Sequence, residues 1–132
     1  AILLAAAILA CGSRSEAQQP AKTETDKQRE AAAAAAAALL KDPNPEIRHA
    51  AANLVGRLGP VSRPHAMTLL TAIAVEREPL VRRDMLFAAA RVGGEEKTAI
   101  PLFTKLLDDT AEEVRIEAAL SIGAYRSESG IE

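Results

Sequence analysis

The sequence predicts an all-α protein, a right-handed superhelical solenoid of antiparallel helix pairs. An acid precedes an arginine by six residues three times along the chain, in the pairs Asp42–Arg48, Glu76–Arg82 and Asp109–Arg115. The three arginines lie 34 and 33 residues apart, and a fixed period in this range is typical of stacked helical repeats. No window of the chain alternates apolar and polar residues cleanly, so no strand is expected.

The composition limits both the core and the class of partner. The 132 residues allow one domain, and the aromatic residues are only Tyr125, Phe87 and Phe103. A core of Leu, Ile, Val and Ala packs helices closely but buries less area per residue than an aromatic core. A net charge of −2 argues against a general nucleic-acid binder, which needs a basic face. Residues 48–91 carry a net positive charge and residues 92–132 a net negative one. We interpret these charges as those of solvated helix faces.

The first ten residues have the pattern of an export signal. The run from Ala1 to Ala10 is apolar throughout, at about half the length that spans a bilayer as a helix. It fits the apolar part of a secretory signal, with a small residue before the cleavage site. We therefore assign residues 1–10 to a partial signal peptide whose positively charged start is missing.

The next residue suggests a lipid anchor. Ile8-Leu9-Ala10-Cys11 resembles the lipobox of bacterial lipoproteins. The resemblance implies that Cys11 is joined to diacylglycerol after the leader is removed, so that the protein is anchored at the bacterial cell envelope and faces the periplasm or the cell exterior. Cys11 is the only cysteine, so no internal disulfide competes for it, and an incidental thiol is the alternative. Residues 11–24 are polar after the cysteine and are predicted to form a flexible tether.

A helix rich in alanine is predicted to open the folded domain. Thr25-Asp26-Lys27-Gln28 has the pattern of a capping box, and the run to Leu40 has high helix propensity. The eight alanines of residues 31–38 make a narrow helix that a neighbour can approach closely. Low-complexity drift explains the run equally well.

The next unit is a pair of helices. Asp42-Pro43-Asn44-Pro45 predicts a turn with Pro45 at the first helical position. The helix that follows has apolar residues at helical spacing, namely Ile47, Ala51, Leu54, Val55 and Leu58. Gly59-Pro60 ends it. A second helix, with Ser62 as its cap and Pro64 in its first turn, presents Met67, Leu70, Ile73 and Ala74 on one face.

This unit then repeats. Pro79, Val81 and Arg82 take the places of Pro45, Ile47 and Arg48, and Gly93-Gly94 is read as a helix stop. The second helix of this repeat has the apolar residues Ile100, Phe103, Leu106 and Leu107. A capping box at Thr110-Ala111-Glu112-Glu113 predicts a third first helix, with Val114, Ala118, Ala119 and Ile122 toward the core. The repeat domain is thus assigned to residues 25–126, about two and a half repeats, with a truncated tail at residues 127–132.

Two stretches show the repeat most clearly, residues 40–48 and 107–115. In each, an acid, a proline or second acid, a β-branched residue and an arginine precede an alanine-rich helix. The pattern resembles HEAT repeats, specifically the short HEAT-like repeats of phycobilisome lyases, over about residues 39–126. The resemblance implies that the acids and arginines are structural and link each turn to its neighbour.

Physical chemistry supports the same role for the acid–arginine pairs. An acid in the turn can accept the free amides of the next helix start, and its charge suits that end of the helix dipole. The arginine fork can then bridge the acids of successive repeats. We therefore predict a structural ladder of Asp42, Arg48, Glu76, Arg82, Asp109 and Arg115. A row of arginines that binds phosphate is the alternative.

Groups that could support catalysis or bind a cofactor are sparse. His49 and His65 are the only histidines, and no cluster of metal donors accompanies them, so no metal site is expected. The chain has no glycine-rich phosphate loop and no nucleophile elbow, and it has no Trp for base stacking. We expect no cofactor, no nucleic-acid partner and no enzymatic activity.

Elimination and architecture together favour a scaffold that binds another protein. Stacked helix pairs present an extended concave surface, formed here by the second helices around His65–Val75 and Thr98–Asp108. The polar residues expected to be available to a partner are Thr68, Thr71, Thr104 and Lys105. A structural envelope spacer without a specific partner is the main alternative, and a HEAT-like chromophore lyase or lyase subunit is a further one.

Overall fold

Helices make up all the regular structure in residues 20–128, the part of the chain that the computed structural model describes. In order they are α1 (Glu24–Leu39), α2 (Pro45–Leu58), a 3-10 helix (Gly59–His65), α3 (Ala66–Val75), α4 (Pro79–Val92), α5 (Glu96–Leu106) and α6 (Glu112–Glu128). The all-α prediction is therefore confirmed. The predicted signal peptide, Cys11 and most of the tether lie outside the described residues, as does the end of the predicted tail. None of the described helices is both long and apolar enough to cross a bilayer.

The helices form two layers. The first helices of the repeats, α2, α4 and α6, pack side by side, and the second helices α1, α3 and α5 cover one side of them. Small residues set the spacing between α2 and α4. A Cβ atom at Gly56 would lie only 3.1 Å from the Cα atom of Ala88. The glycine therefore permits this close crossing of the two helices.

The core between these layers is mostly aliphatic, with one aromatic pair. The rings of Phe103 and Tyr125 meet edge to face, with centroids 5.3 Å apart and an interplanar angle of 77°. The Tyr125 hydroxyl donates to the Ala89 carbonyl at 3.2 Å. The fully buried Ser121 hydroxyl donates to the Leu86 carbonyl at 3.4 Å. Both polar groups thus anchor α6 to the backbone of α4 without leaving a donor unpaired.

Several predicted helix ends differ from the observed ones. The capping box uses Thr23 and Asp26, so α1 starts at Glu24 and the prediction of Thr25 was wrong. The Thr23 hydroxyl accepts from the Asp26 amide, and the Asp26 carboxylate accepts from the Thr23 amide. Asp26 completes this exchange as a Glu or Gln would, whereas the sequence had suggested Gln28 for the role.

The turn between α2 and α3 also differs from its prediction. Gly59 ends α2 with a φ of 58°, but a 3-10 helix follows and α3 starts only at Ala66. Ser62 is therefore not the cap of α3; it is fully buried and donates to the Val55 carbonyl. Pro64 lies in the 3-10 helix.

The later helix ends agree in part with the predictions. Gly93 and Gly94 have φ values of 72° and 79°, which confirms the predicted helix stop. At the start of α6, the first helical residue is Glu112 rather than Thr110. The Ala111 amide donates to the Asp109 carboxylate, so an acid of the ladder occupies this turn.

Some residues assigned to the core are at the surface. Ala118 is fully buried whereas Ala119 is exposed, because neighbours on a helix point about 100° apart and only one can face α4. Ile47, Leu54 and Met67 are 37%, 41% and 44% exposed. Ile47 and Leu54 line an open apolar groove of about 370 Å³, because the alanines of α1 are too short to cover them.

Two adjacent alanines in α6 test this assignment. Ala118→Glu would bury a carboxylate without a partner, and we expect it to lower the free energy of unfolding by about 3 kcal/mol or more. Ala119→Glu is the matched control and should change it by less than about 0.5 kcal/mol, because the side chain faces water. Chemical unfolding followed by circular dichroism measures both. Equal destabilisation by the two variants would show that the register of α6 is different.

Candidate interaction surfaces

The acid–arginine residues lie in one row along the turns that precede the first helices. Arg48 Nε lies 2.7 Å from Glu76 Oε2, and its Nη2 donates to Glu76 Oε1 at 2.9 Å. The Nη1 of the same guanidinium donates back to the carbonyls of Asp42 and Pro43, at 2.8 and 3.0 Å. Arg48 thus joins the turn before its own helix to the turn of the next repeat.

Arg82 also joins two turns, and Arg115 contacts the turn before its own helix. Arg82 Nη1 donates to the Glu76 carbonyl at 2.7 Å, and its Nη2 donates to Asp109 Oδ1 at 2.9 Å. Arg115 Nη1 donates to the carbonyls of Asp109 and Thr110, at 2.8 and 3.2 Å. The spacing of six residues therefore arises because each arginine donates to the carbonyl of the acid six positions before it. The row is called the ladder below.

The ladder acids also fix the turns that carry them. Asp42 Oδ1 accepts from the Asn44 amide and Asp109 Oδ1 accepts from the Ala111 amide, both at 2.9 Å. Glu76 Oε1 accepts from the amides of Arg77 and Glu78, at 3.1 and 3.0 Å. Each acid therefore satisfies an amide that the start of the next helix leaves without a carbonyl partner.

The forks of the first two arginines are largely occupied by these contacts. The Arg48 and Arg82 side chains are only 17% and 12% exposed. The carboxylate and carbonyl partners of Arg48 already use all three of its nitrogens, and those of Arg82 use both of its Nη atoms, while its Nε is buried. This arrangement disfavours the alternative in which a row of arginines binds phosphate.

The ladder shifts the titration of its acids. Burial alone would raise the pKa of Glu76, but hydrogen bonds from Arg48 and from the amides of Glu78 and Arg77 outweigh it, so the pKa lies below its usual value of 4.5. Asp109 follows the same balance: burial opposes ionisation, and the contacts with Arg82 and the Ala111 amide hold its pKa below 3.8. Both carboxylates are therefore charged in the folded protein at neutral pH.

The surface expected to bind a partner lies on α3 and α5. Thr71, Thr104 and Lys105 are exposed there, and Thr68 is half-buried. The Thr71 and Thr104 hydroxyls each donate to the carbonyl four residues back, at 2.8 Å. Their donors are thus used within the helix, and their oxygens can still accept a hydrogen bond. We call the exposed residues of α3 and α5 the second-helix face.

A second surface, which the sequence analysis missed, lies beside the ladder. An open groove of about 700 Å³ crosses the N-terminal turns of α2, α4 and α6. Its apolar lining includes Pro45, Pro79, Leu80 and Val81, and its acids are Glu46, Glu78, Asp84 and Glu113. We call it the first-helix groove. Alignment of the repeats in the sequence would have shown that the second residues of the first helices, Glu46, Leu80 and Glu113, form a row along this groove.

One acid of this groove is already paired. Arg83 donates from Nε and Nη2 to Asp84 Oδ1, at 3.0 and 2.9 Å. His49 Nδ1 lies 2.5 Å from Asp84 Oδ2, and His49 Nε2 lies 3.2 Å from the Asn53 amide nitrogen. Burial raises the pKa of the neighbouring Glu117. The positive charge of Arg83 partly offsets this rise, and the negative charge of Asp84 adds to it. In residues 20–128 no group of His, Cys, Asp and Glu is arranged to hold a metal ion.

Comparison with known protein families agrees with this geometry. The family model for HEAT repeats matches residues 66–132, slightly more than half of the chain, and the model for a HEAT repeat matches residues 35–62. The chain belongs to the HEAT repeat family. Neither a curated protein nor a solved structure gives a match. The HEAT assignment identifies the chain as a helical repeat scaffold, in which the ladder joins one repeat to the next.

The pKa of Glu76 predicts how the stability of these HEAT repeats depends on pH. Because this pKa is lower in the folded chain, the carboxylate stabilises the fold above its usual value of 4.5, and the stabilisation is lost as the pH falls through the folded pKa. We expect Glu76→Gln to lower the free energy of unfolding by about 2 kcal/mol at pH 7. The difference from the wild type should shrink below about pH 4.5.

Urea unfolding at a series of pH values measures this difference. Asp108→Asn is the matched control, because Asp108 is exposed and lies in the next turn of the same row. It should leave both the stability and its dependence on pH unchanged. A Glu76→Gln effect that stays constant from pH 7 to pH 3 would contradict the account of the ladder.

Proposed function

We propose that this HEAT repeat protein is a non-catalytic scaffold that binds another protein through the second-helix face. The observation that carries the proposal is the composition of α3, where no residue from Ala66 to Val75 is ionisable. The helix nevertheless exposes Met67, Thr71 and Val75, the last of them at 73%. Charged residues are depleted and Met is enriched at the centre of protein interfaces. An uncharged exposed helix in a chain that is 26% charged fits such a centre.

The neighbouring helix α5 extends this surface. On α5 the surface continues with Pro101 and Thr104 and then reaches Lys105. A partner would therefore meet an apolar centre on α3 with a cation at one side. This layout matches an apolar interface core with a polar rim.

Charge inserted into this face tests the proposal. We expect Thr71→Glu with Thr104→Glu to abolish specific capture of the partner from the native cell, because two buried carboxylates would lack partners in the interface. Asn53→Glu with Leu120→Glu is the matched control, since both residues are exposed on first helices and the added charge is the same. The readout is quantitative mass spectrometry of proteins captured on each form.

The pattern of capture separates the scaffold from its main alternative. A partner that is retained by the control and lost with Thr71→Glu and Thr104→Glu supports the proposal. A partner lost equally from both forms, or no specific partner at all, contradicts it and favours a structural spacer.

We also propose that the full protein is held at the bacterial cell envelope through Cys11. The support is the sequence Ile8-Leu9-Ala10-Cys11, which follows an apolar run and precedes a polar stretch. A lipid on Cys11 would place the HEAT repeats close to a membrane at the end of the tether. One acyl chain gives only marginal membrane binding, whereas two or three give stable anchoring.

Substitution of the cysteine tests this location. We expect Cys11→Ser, in the protein carrying its complete leader, to abolish incorporation of a labelled fatty acid and to release the protein from the membrane fraction. Ser13→Ala, two residues further on, is the control and should leave both unchanged. Continued labelling and membrane association of Cys11→Ser would refute the anchor.

A further inference from the structure

The first-helix groove has a repeating pattern of its own. Glu46, Leu80 and Glu113 each occupy the second position of a first helix, in three successive repeats. All three line the groove and all three are exposed, with Leu80 at 55%. The groove therefore presents an acid, an apolar side chain and a second acid in one row.

The charge of this row is not balanced within the described part of the chain. Arg83 is the groove's only arginine or lysine, and its guanidinium is paired with Asp84. Across residues 20–128 no salt bridge or side-chain hydrogen bond engages the carboxylates of Glu46, Glu78 or Glu113. These three acids therefore leave a negative rim around an apolar floor, and a complementary ligand must supply positive charge on both sides of an apolar group.

The dimensions of the groove match an extended peptide. Packed helices lie about 8–10 Å apart, so two steps from α2 to α6 span about 16–20 Å. An extended chain advances about 3.3 Å per residue, so about six residues cover this distance. Successive positions of the row are then about three residues apart along the peptide.

We infer that the first-helix groove binds an extended basic segment of another protein, in which one apolar side chain is flanked by Lys or Arg three residues away on each side. The apolar side chain packs on Leu80, between Pro45 and Pro79. The two flanking cations lie against Glu46 and Glu113, with Glu78 near the centre. The ladder beside the groove fixes the turns, so the row is formed before the peptide arrives.

This site is separate from the second-helix face. It is formed by the N-terminal turns of α2, α4 and α6, whereas the second-helix face is formed by α3 and α5. The two surfaces differ in chemistry as well, since the groove is acidic and α3 carries no charge. Loss of binding at one surface would therefore leave the other unaffected.

The test uses a synthetic peptide and the ¹⁵N-labelled chain. The probe is the nonapeptide Gly-Lys-Ser-Ser-Leu-Ser-Ser-Lys-Gly, added up to millimolar concentration while amide shifts are recorded. We expect saturable shifts at Glu46, Leu80 and Glu113 and at their helix neighbours. Peptides with Glu for both Lys, or with Ser for Leu, should bind at least about fivefold more weakly.

Variants of the protein identify the groups involved. Glu46→Gln with Glu113→Gln should weaken binding of the probe by about fivefold, and Leu80→Ser should abolish its preference for the Leu peptide. Glu24→Gln with Asp108→Asn removes the same charge from exposed sites outside the groove, and it should bind as the wild type does. A spectrum of native dispersion for each variant shows that the fold is retained.

Three results would overturn the inference. The first is an absence of saturable shifts at millimolar probe. The second is a set of shifts that maps to α3 and α5 instead of the groove. The third is equal binding by the peptide with Ser in place of Leu, or by the Glu46→Gln, Glu113→Gln protein, because the acids would then act only as a diffuse negative surface.

Discussion

In each of the first two repeats one guanidinium group, that of Arg48 or Arg82, holds two turns together, and the stack of helices depends on it. Arg82 donates to the Glu76 carbonyl in the turn before its own helix and to the Asp109 carboxylate in the turn that follows. The carboxylates of Glu76 and Asp109 in turn accept hydrogen bonds from backbone amides at the starts of the first helices. The contacts are charge-assisted and partly buried, so they are stronger than ordinary surface ion pairs. The same groups therefore stabilise the fold of each turn and its contact with the next repeat.

This constraint allows a small aliphatic core to be sufficient. With repeat spacing held at the turns, α2 and α4 can approach until Gly56 meets Ala88, and few large side chains are needed between them. It also divides the surface. The ladder side collects acids at the starts of the first helices, where the helix dipole favours them. Among the second helices, α3 carries no charge at all. The ladder side and the exposed side of α3 therefore differ in chemistry.

The periodic features of the fold could be predicted from the sequence, whereas the local ones could not. The six-residue spacing and the period of 34 and 33 residues reflect contacts that recur in every repeat. Ala118 and Ala119 are identical residues, so only the packing against α4 distinguishes the buried one from the exposed one. The start of α1 at Glu24, with Thr23 as its cap, depended on an Asp at the third helical position. The row of Glu46, Leu80 and Glu113 follows the same period and could have been read from the sequence, whereas the groove around it is formed by three distant turns and is seen only in the structure.

A double-mutant cycle between Arg82 and Asp109 tests most directly whether the ladder joins the repeats. The two side chains lie in different repeats and meet at 2.9 Å. The unfolding free energies of Arg82→Ala, Asp109→Ala and the double variant would be measured at pH 7 against the wild type. The account predicts a coupling free energy of about 1 kcal/mol or more. The reason is that Arg82→Ala leaves Asp109 without its guanidinium partner, and Asp109→Ala leaves Arg82 without its carboxylate partner, in the same partly buried contact. Additive effects, with a coupling below about 0.3 kcal/mol, would show that helix packing alone sets the stack.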